Sequence, residues 1–142
     1  MIQSETIELV ADTLIENGEV YYTQAATQIT DPSDLIDNTV VKIDVGADDY
    51  TVFFSRSPVP YPKARINYIA YKHIGVYGYR NDFLQKFTNL PQRPIEQIEQ
   101  IEQLRAIEHG YKMKIVDTPY DTISVDVPND LFEVKKRIQE FD

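Results

Sequence analysis

A chain of 142 residues with 42% hydrophobic side chains has enough apolar material for one domain with a real core, and that fraction argues against disorder. No run of about 18 apolar residues offers a membrane span, no signal-peptide pattern opens the sequence, and zero cysteines exclude disulfides, thiolate chemistry and cysteine-ligated metals. A net charge of −9 disfavours nucleic acid as a general partner, so an anionic ligand has to be met by a few local cations or a metal; the cytoplasm is the expected compartment and 1–142 the expected extent of the domain.

Ser4 is placed to cap a helix over residues 4–17, in which Ile7, Val10, Ala11, Leu14 and Ile15 keep amphipathic spacing and Gly18 supplies the stop. Residues 20–27 are rich in β-branched and aromatic side chains and predict a strand. Asp31 and Pro32 open a short helical turn through Leu35, Ile36 and Asp37. Residues 39–45 and 50–55 predict two strands joined as a hairpin across Gly46, Ala47, Asp48 and Asp49. Arg56 then leaves the second strand just before Pro58, Pro60 and Pro62 force an extended loop. A cation pinned there suits an anion contact, and a plain surface arginine suits the pattern equally.

Residues 64–70 carry little pattern and are expected to form an irregular connection. Residues 72–79 predict a strand with His73, Gly75, Tyr77 and Tyr79 on one face and Ile74, Val76 and Gly78 on the other. The first set makes either an open hydrogen-bonding face or a half-buried strand with satisfied rings. Asn81 or Asp82 caps a short helix containing Phe83, Leu84 and Phe87.

The stretch 94–110, PIEQIEQIEQLRAIEHG, predicts one helix of about four turns, with Pro94 at its first position and Gly110 closing it. Its apolar residues recur every third position (Ile95, Ile98, Ile101, Leu104, Ile107), so the stripe slips back by about 60° each time and asks for packing on more than one side. Glu99, Glu102 and Gln103 share one arc of that helix, as a polar pocket wall or as a solvated face. Strands are expected at 111–117 and 122–125. Asp126 then stands where a strand ends and a helix over 128–140 begins, an edge where open α/β sheets bind ligands and where helix caps also sit. That last helix carries Leu131, Val134, Ile138 and Phe141 on one face. The elements together predict a three-layer α/β fold with a mixed sheet, strand 72–79 central and the helices at 4–17, 94–109 and 128–140 packed on it.

Four ordered segments, FFSRSPVPY, YKHIGVYGYR, PIEQIEQIEQLRAIEHGYKMKIV and ISVDVPNDLFEV, preceded by DPSDLIDNTVVKID, give the chain a resemblance to the second half of the CMP-Kdo synthetases, the 3-deoxy-manno-octulosonate cytidylyltransferases. The resemblance implies a nucleotide-diphospho-sugar-transferase-like, Rossmann-like fold. It also implies a reaction in which a sugar hydroxyl attacks the α-phosphate of CTP with Mg²⁺ assistance. By the same resemblance Arg56, His73, Tyr77, Glu99, Glu102 and Gln103 fall on the side of the cleft that takes the acidic sugar Kdo. Asp126 falls among the metal-binding aspartates, and a homodimer forms through this half.

The departures are specific. The family's Gly/Ala-rich loop with Arg, Ser and Lys, and its later Gly-Asp-x-Pro stretch with the other metal aspartate, have no counterpart in these residues, and Val127 follows Asp126 where the family usually has Thr. The expectation is therefore a sugar-binding and dimer-forming half without the N-terminal nucleotide-binding half, incomplete for catalysis alone and using CTP only if that half is supplied. A non-catalytic, self-associating scaffold, or a half serving a related acidic sugar, is the competing expectation.

Overall fold

Residues 2–64, 68–122, 125 and 128–139 are those the computed structural model describes. Helix α1 (Ser4–Glu16) leads to strand β1 (Tyr22–Gln28) and the one-turn helix α2 (Pro32–Ile36). Strands β2 (Lys42–Val45), β3 (Thr51–Ser55) and β4 (Tyr71–Tyr79) follow, then helices α3 (Asn81–Thr88), α4 (Pro94–Glu99) and α5 (Gln103–Glu108), strand β5 (Lys114–Asp117) and helix α6 (Pro128–Gln139). The sheet runs β3-β2-β4-β1-β5 with β4 in the middle. Among the described residues only the β1–β5 pair is parallel, so the sheet is mixed, as the sequence predicts.

One face of the sheet is covered by α1, which contacts β1, β4 and β5. Val10, Ala25, Ile74 and Val116 form the core there, and the Thr6 and Thr118 hydroxyls pair at 3.0 Å. Gly78 makes this approach possible: a Cβ at that residue would lie 2.4 Å from Thr23 Oγ1 and 2.7 Å from Leu14 Cδ1. Two details of the expected helix change. Gln3, not Ser4, holds the N-cap position, without a side-chain cap, and Ile7 and Ile15 point outward while Thr6 and Val10 are buried.

The opposite face carries α3 and the α4–α5 pair over Tyr22, Phe54, Phe83, Phe87, Leu104 and Met113. Here the single helix over 94–110 is corrected. It breaks at Gln100, whose backbone is left-handed (φ 55°), and resumes at Gln103. A straight helix would carry the precessing stripe away from a sheet that offers it one side only. The break re-aims the second half: Ile101 is 3% exposed and Leu104 is fully buried, while Ile98 is left 81% exposed. Two contacts clasp the resulting elbow. Arg105 Nε donates to Glu96 Oε2 at 2.8 Å, and the Glu108 carboxylate accepts from the first-turn amides of Ile95 (3.3 Å) and Glu96 (3.2 Å). Gly110 closes α5 with a φ of 83°, as expected from its position.

The 46–49 hairpin forms as read, with Gly46 N donating to Tyr50 O at 2.8 Å and Asp49 adopting a positive φ of 59°. The expected strand at 111–117 shortens to β5, because Tyr111 N still donates to Ala106 O at the end of α5. Of the strand expected at 122–125, residues 123 and 124 lie outside the described residues, as do Asp126 and Phe141. Helix α6 forms where expected. Its Leu131 and Ile138 are nonetheless largely exposed, so the packing of that face on the sheet is not found among the described residues.

Candidate functional site

The sheet itself opens a cleft. Strand β2 pairs with β4 only at Lys42↔Lys72 and Ile43↔Tyr71, and after the bond from His73 N to Val41 O (3.1 Å) the two segments part. The gap between residues 38–41 and the remainder of β4 is roofed by the elbow of α4 and α5. The cleft measures about 470 Å³. Its polar lining is Gln24, Asn38, Thr39, Arg56, His73, Tyr77, Gln100, Glu102 and Gln103, over an apolar floor of Val41, Phe54 and Ile101.

The β4 alternation read from the sequence places His73 and Tyr77 on this face, four residues apart, with the Tyr77 hydroxyl 3.3 Å from His73 Nδ1. Gln103 Nε2 donates to Glu102 Oε1 at 2.9 Å, and the Gln103 side chain also meets the Tyr77 hydroxyl. Burial first, and then the nearby Glu102 carboxylate, push the Tyr77 phenol above its ordinary range. It therefore stays protonated and serves as a hydrogen-bonding group rather than a base.

Arg56 is pinned at the mouth from both sides. Glu99 Oε2 accepts from Arg56 N at 3.0 Å, and Lys42 Nζ donates to Arg56 O at 2.7 Å. The guanidinium reaches the carbonyls of Glu99 (2.9 Å), Asn38 (3.0 Å) and Gln100 (3.5 Å), of which Glu99 ends α4 and Gln100 is its C-cap, both orphaned by the helix break. Among the described residues three of its five N–H groups are engaged, which leaves two for a ligand.

Glu99 does not line the cleft. Its carboxylate is spent on Ser55 Oγ (2.7 Å) and Arg56 N, so it braces the loop that carries the cation. The family resemblance puts Arg56, His73, Tyr77, Glu99, Glu102 and Gln103 on one site, and the structure brings all but Glu99 together in the cleft lining. Asp126 lies outside the described residues. Among the described residues no three of His, Asp or Glu converge as a metal site.

Three contributors are missed by pattern reading. Lys42 is 1% exposed and donates to the carbonyls of Asp37, Val40 and Arg56, fixing the 37–40 segment that lines the cleft. Burial pushes its ammonium below the ordinary lysine value. The pattern carries no warning of it, because between Val41 and Ile43 an alternating strand expects an outward polar residue. Gln24 is hidden in the same way: a polar strand residue reads as outward, and the burial of β1 on both faces overrides that reading. Gln100 reaches the lining only through the helix break and leaves no trace in the pattern.

Comparison with known proteins adds four findings. A family model described as Cytidylyltransferase matches residues 1–115. A 3-deoxy-manno-octulosonate cytidylyltransferase of Fusobacterium nucleatum is 34% identical over 140 residues, covering 99% of this chain and 57% of that protein. An 8-amino-3,8-dideoxy-manno-octulosonate cytidylyltransferase of a Shewanella species is 37% identical over 121 residues, covering 85% and 49%. A solved structure of CMP:2-keto-3-deoxy-manno-octonic acid synthetase complexed with CTP superposes with a TM-score of 0.92 at 27% identity, covering all of this chain and 58% of that one. The chain thus spans about half the length of the curated relatives it matches.

Proposed function

The chain belongs to the cytidylyltransferase family, and on that premise we propose that its cleft is the sugar-acid side of a 3-deoxy-manno-octulosonate cytidylyltransferase. The observation that carries the reading is the convergence of Arg56, His73, Tyr77, Glu102 and Gln103 from three separate segments on one polar cleft. A sugar acid needs one cation and many neutral partners that both donate and accept. The lining supplies one guanidinium, one carboxylate and several amides and hydroxyls.

In this reading the two unengaged N–H groups of Arg56 meet the sugar carboxylate, and Glu99 acts as a positioning residue by holding Arg56. Glu102 accepts from a sugar hydroxyl, with Gln103 oriented by Glu102 and Tyr77. His73 and the neutral Tyr77 phenol complete the hydroxyl contacts. Such a site contributes binding and orientation, which is most of what an in-line attack on a phosphate asks of a protein. Mg²⁺ would neutralise triphosphate charge, with Asp126 as one ligand by resemblance. CTP enters the reading only with a nucleotide-binding half supplied, and self-association runs through edge strand β3 and the proline loop, where Val52 and Tyr61 are exposed.

Calorimetry with Kdo on the 142-residue chain tests the site. His73→Ala and Arg56→Gln are each expected to weaken binding by about tenfold or more, and Glu99→Ala to act in the same direction through Arg56. No binding by the unaltered chain, or binding untouched by the first two substitutions, overturns the assignment. With CTP, Kdo and Mg²⁺ this polypeptide alone is expected to release no pyrophosphate, and turnover would refute its incompleteness. A monomer in light scattering at high concentration would refute the dimer.

A further inference from the structure

Gln24 sits in β1 opposite Tyr77 of β4, on the face shared with Tyr22 and Ala26. It is fully buried, and among the described residues neither its Oε1 nor its Nε2 has a hydrogen-bond partner. It is also part of the cleft lining, beside His73, Tyr77 and Gln103. An amide left unpaired in a closed interior costs about 1–3 kcal/mol, and an apolar side chain of similar size would remove that cost. The unmet hydrogen-bonding capacity is therefore directed at what enters the cleft.

The chemistry of that partner follows from the amide. Oε1 accepts and Nε2 donates, so both are satisfied together by a group that donates and accepts. A carboxylate only accepts and an ammonium only donates, and each would leave one end of Gln24 orphaned. Hydroxyls do both. We infer that Gln24 is a specificity-determining residue that pairs through both ends of its amide with neutral hydroxyls of the acidic sugar, apart from the cationic contact at Arg56. This rests on the sugar-acid reading of the cleft and adds to it a residue that reads the neutral part of the sugar.

Two variants, Gln24→Leu and Gln24→Met, test it with Kdo as the probe and His73→Ala as the reference. Each is expected to bind Kdo about tenfold or more weakly in calorimetry. Each is also expected to melt at the same temperature as the unaltered chain or higher when no ligand is present, because an unpaired buried amide has been removed. A purely structural glutamine would lower both readouts, and a fall in ligand-free melting in both variants overturns the inference. Kdo binding lost in His73→Ala but retained in both Gln24 variants overturns the role of Gln24 and leaves the cleft assignment standing. No binding by the unaltered chain, or binding kept by all three variants, overturns the cleft assignment and this inference with it.

Discussion

Gly75 and Gly78 stand three residues apart on β4 and face opposite ways. A Cβ on Gly78 would run into Thr23, Leu14 and Val10, whereas one on Gly75 would meet nothing within 4 Å. The first glycine belongs to a face filled to van der Waals contact by an unbroken helix. The second belongs to the face of His73 and Tyr77, where the strands part and the covering helix is broken. One side of the sheet is closed by a continuous helix; the other carries the larger apolar cluster but is held open at the cleft by irregular backbone, where polar contacts take over. Its closing forces are thus directional, and single side chains matter more there.

The largest expected effect breaks the open side at its clasp. Glu96 is almost fully buried, and the Arg105 guanidinium holds its carboxyl below the usual range. Glu96→Gln leaves that guanidinium uncompensated and is expected to cost about 3 kcal/mol in urea unfolding. A loss under about 1 kcal/mol would show that the elbow does not depend on this pair.

Next comes the glycine pair itself. Gly78→Ala is expected to destabilise by about 1–3 kcal/mol through overpacking against α1. Gly75→Ala is expected to be neutral, or stabilising by up to about 1 kcal/mol, because it restrains the unfolded chain without a clash. Equal losses in chemical denaturation would erase the distinction between the two faces.

Base should act on the open side, where the buried phenols lie. Burial pushes the phenols of Tyr22, Tyr77 and Tyr79 above their ordinary value of 10.0. Above pH 10 the unfolded chain ionises them while the folded chain does not, so the unfolded state binds fewer protons and stability falls as pH rises. The loss is about 1.4 kcal/mol per pH unit for each phenol that stays neutral. Lys42 runs the other way: its folded value is depressed, so stability rises with pH in the window just below its ordinary 10.5. Three phenols outweigh one ammonium, and unfolding measured from pH 9 to 11 should show a net loss above pH 10 that Tyr22→Phe reduces. An unchanged slope in that variant would refute the assignment.

The smallest effect is decided by its sign. Gln100 has the left-handed backbone that glycine tolerates best, so Gln100→Gly is expected to stabilise by about 0.5–1 kcal/mol. In a continuous helix the same change would cost about 1 kcal/mol. Thermal melting of this one variant distinguishes two helices from one.

Much of the molecule is settled by local pattern. The β4 alternation assigned Ile74, Val76 and Gly78 to one face and His73, Tyr77 and Tyr79 to the other, because strand side chains alternate whatever surrounds them. The hairpin at 46–49 and the closure at Gly110 follow from turn chemistry alone. Five of the lining residues were likewise legible, though it was family resemblance, more than spacing, that favoured a pocket over a solvated face. Tertiary structure decided the rest. Residues 94–108 are all compatible with one helix, and only the one-sided surface of the sheet makes a break at Gln100 better than continuation, since it buries Ile101 and Leu104 at the expense of Ile98. That break also diverts Glu99 from the cleft to Ser55 and Arg56, over more than forty residues of sequence, and leaves the carbonyls that Arg56 collects. Propensity and periodicity act over a few neighbouring residues, and they cannot register which distant surface a helix will meet.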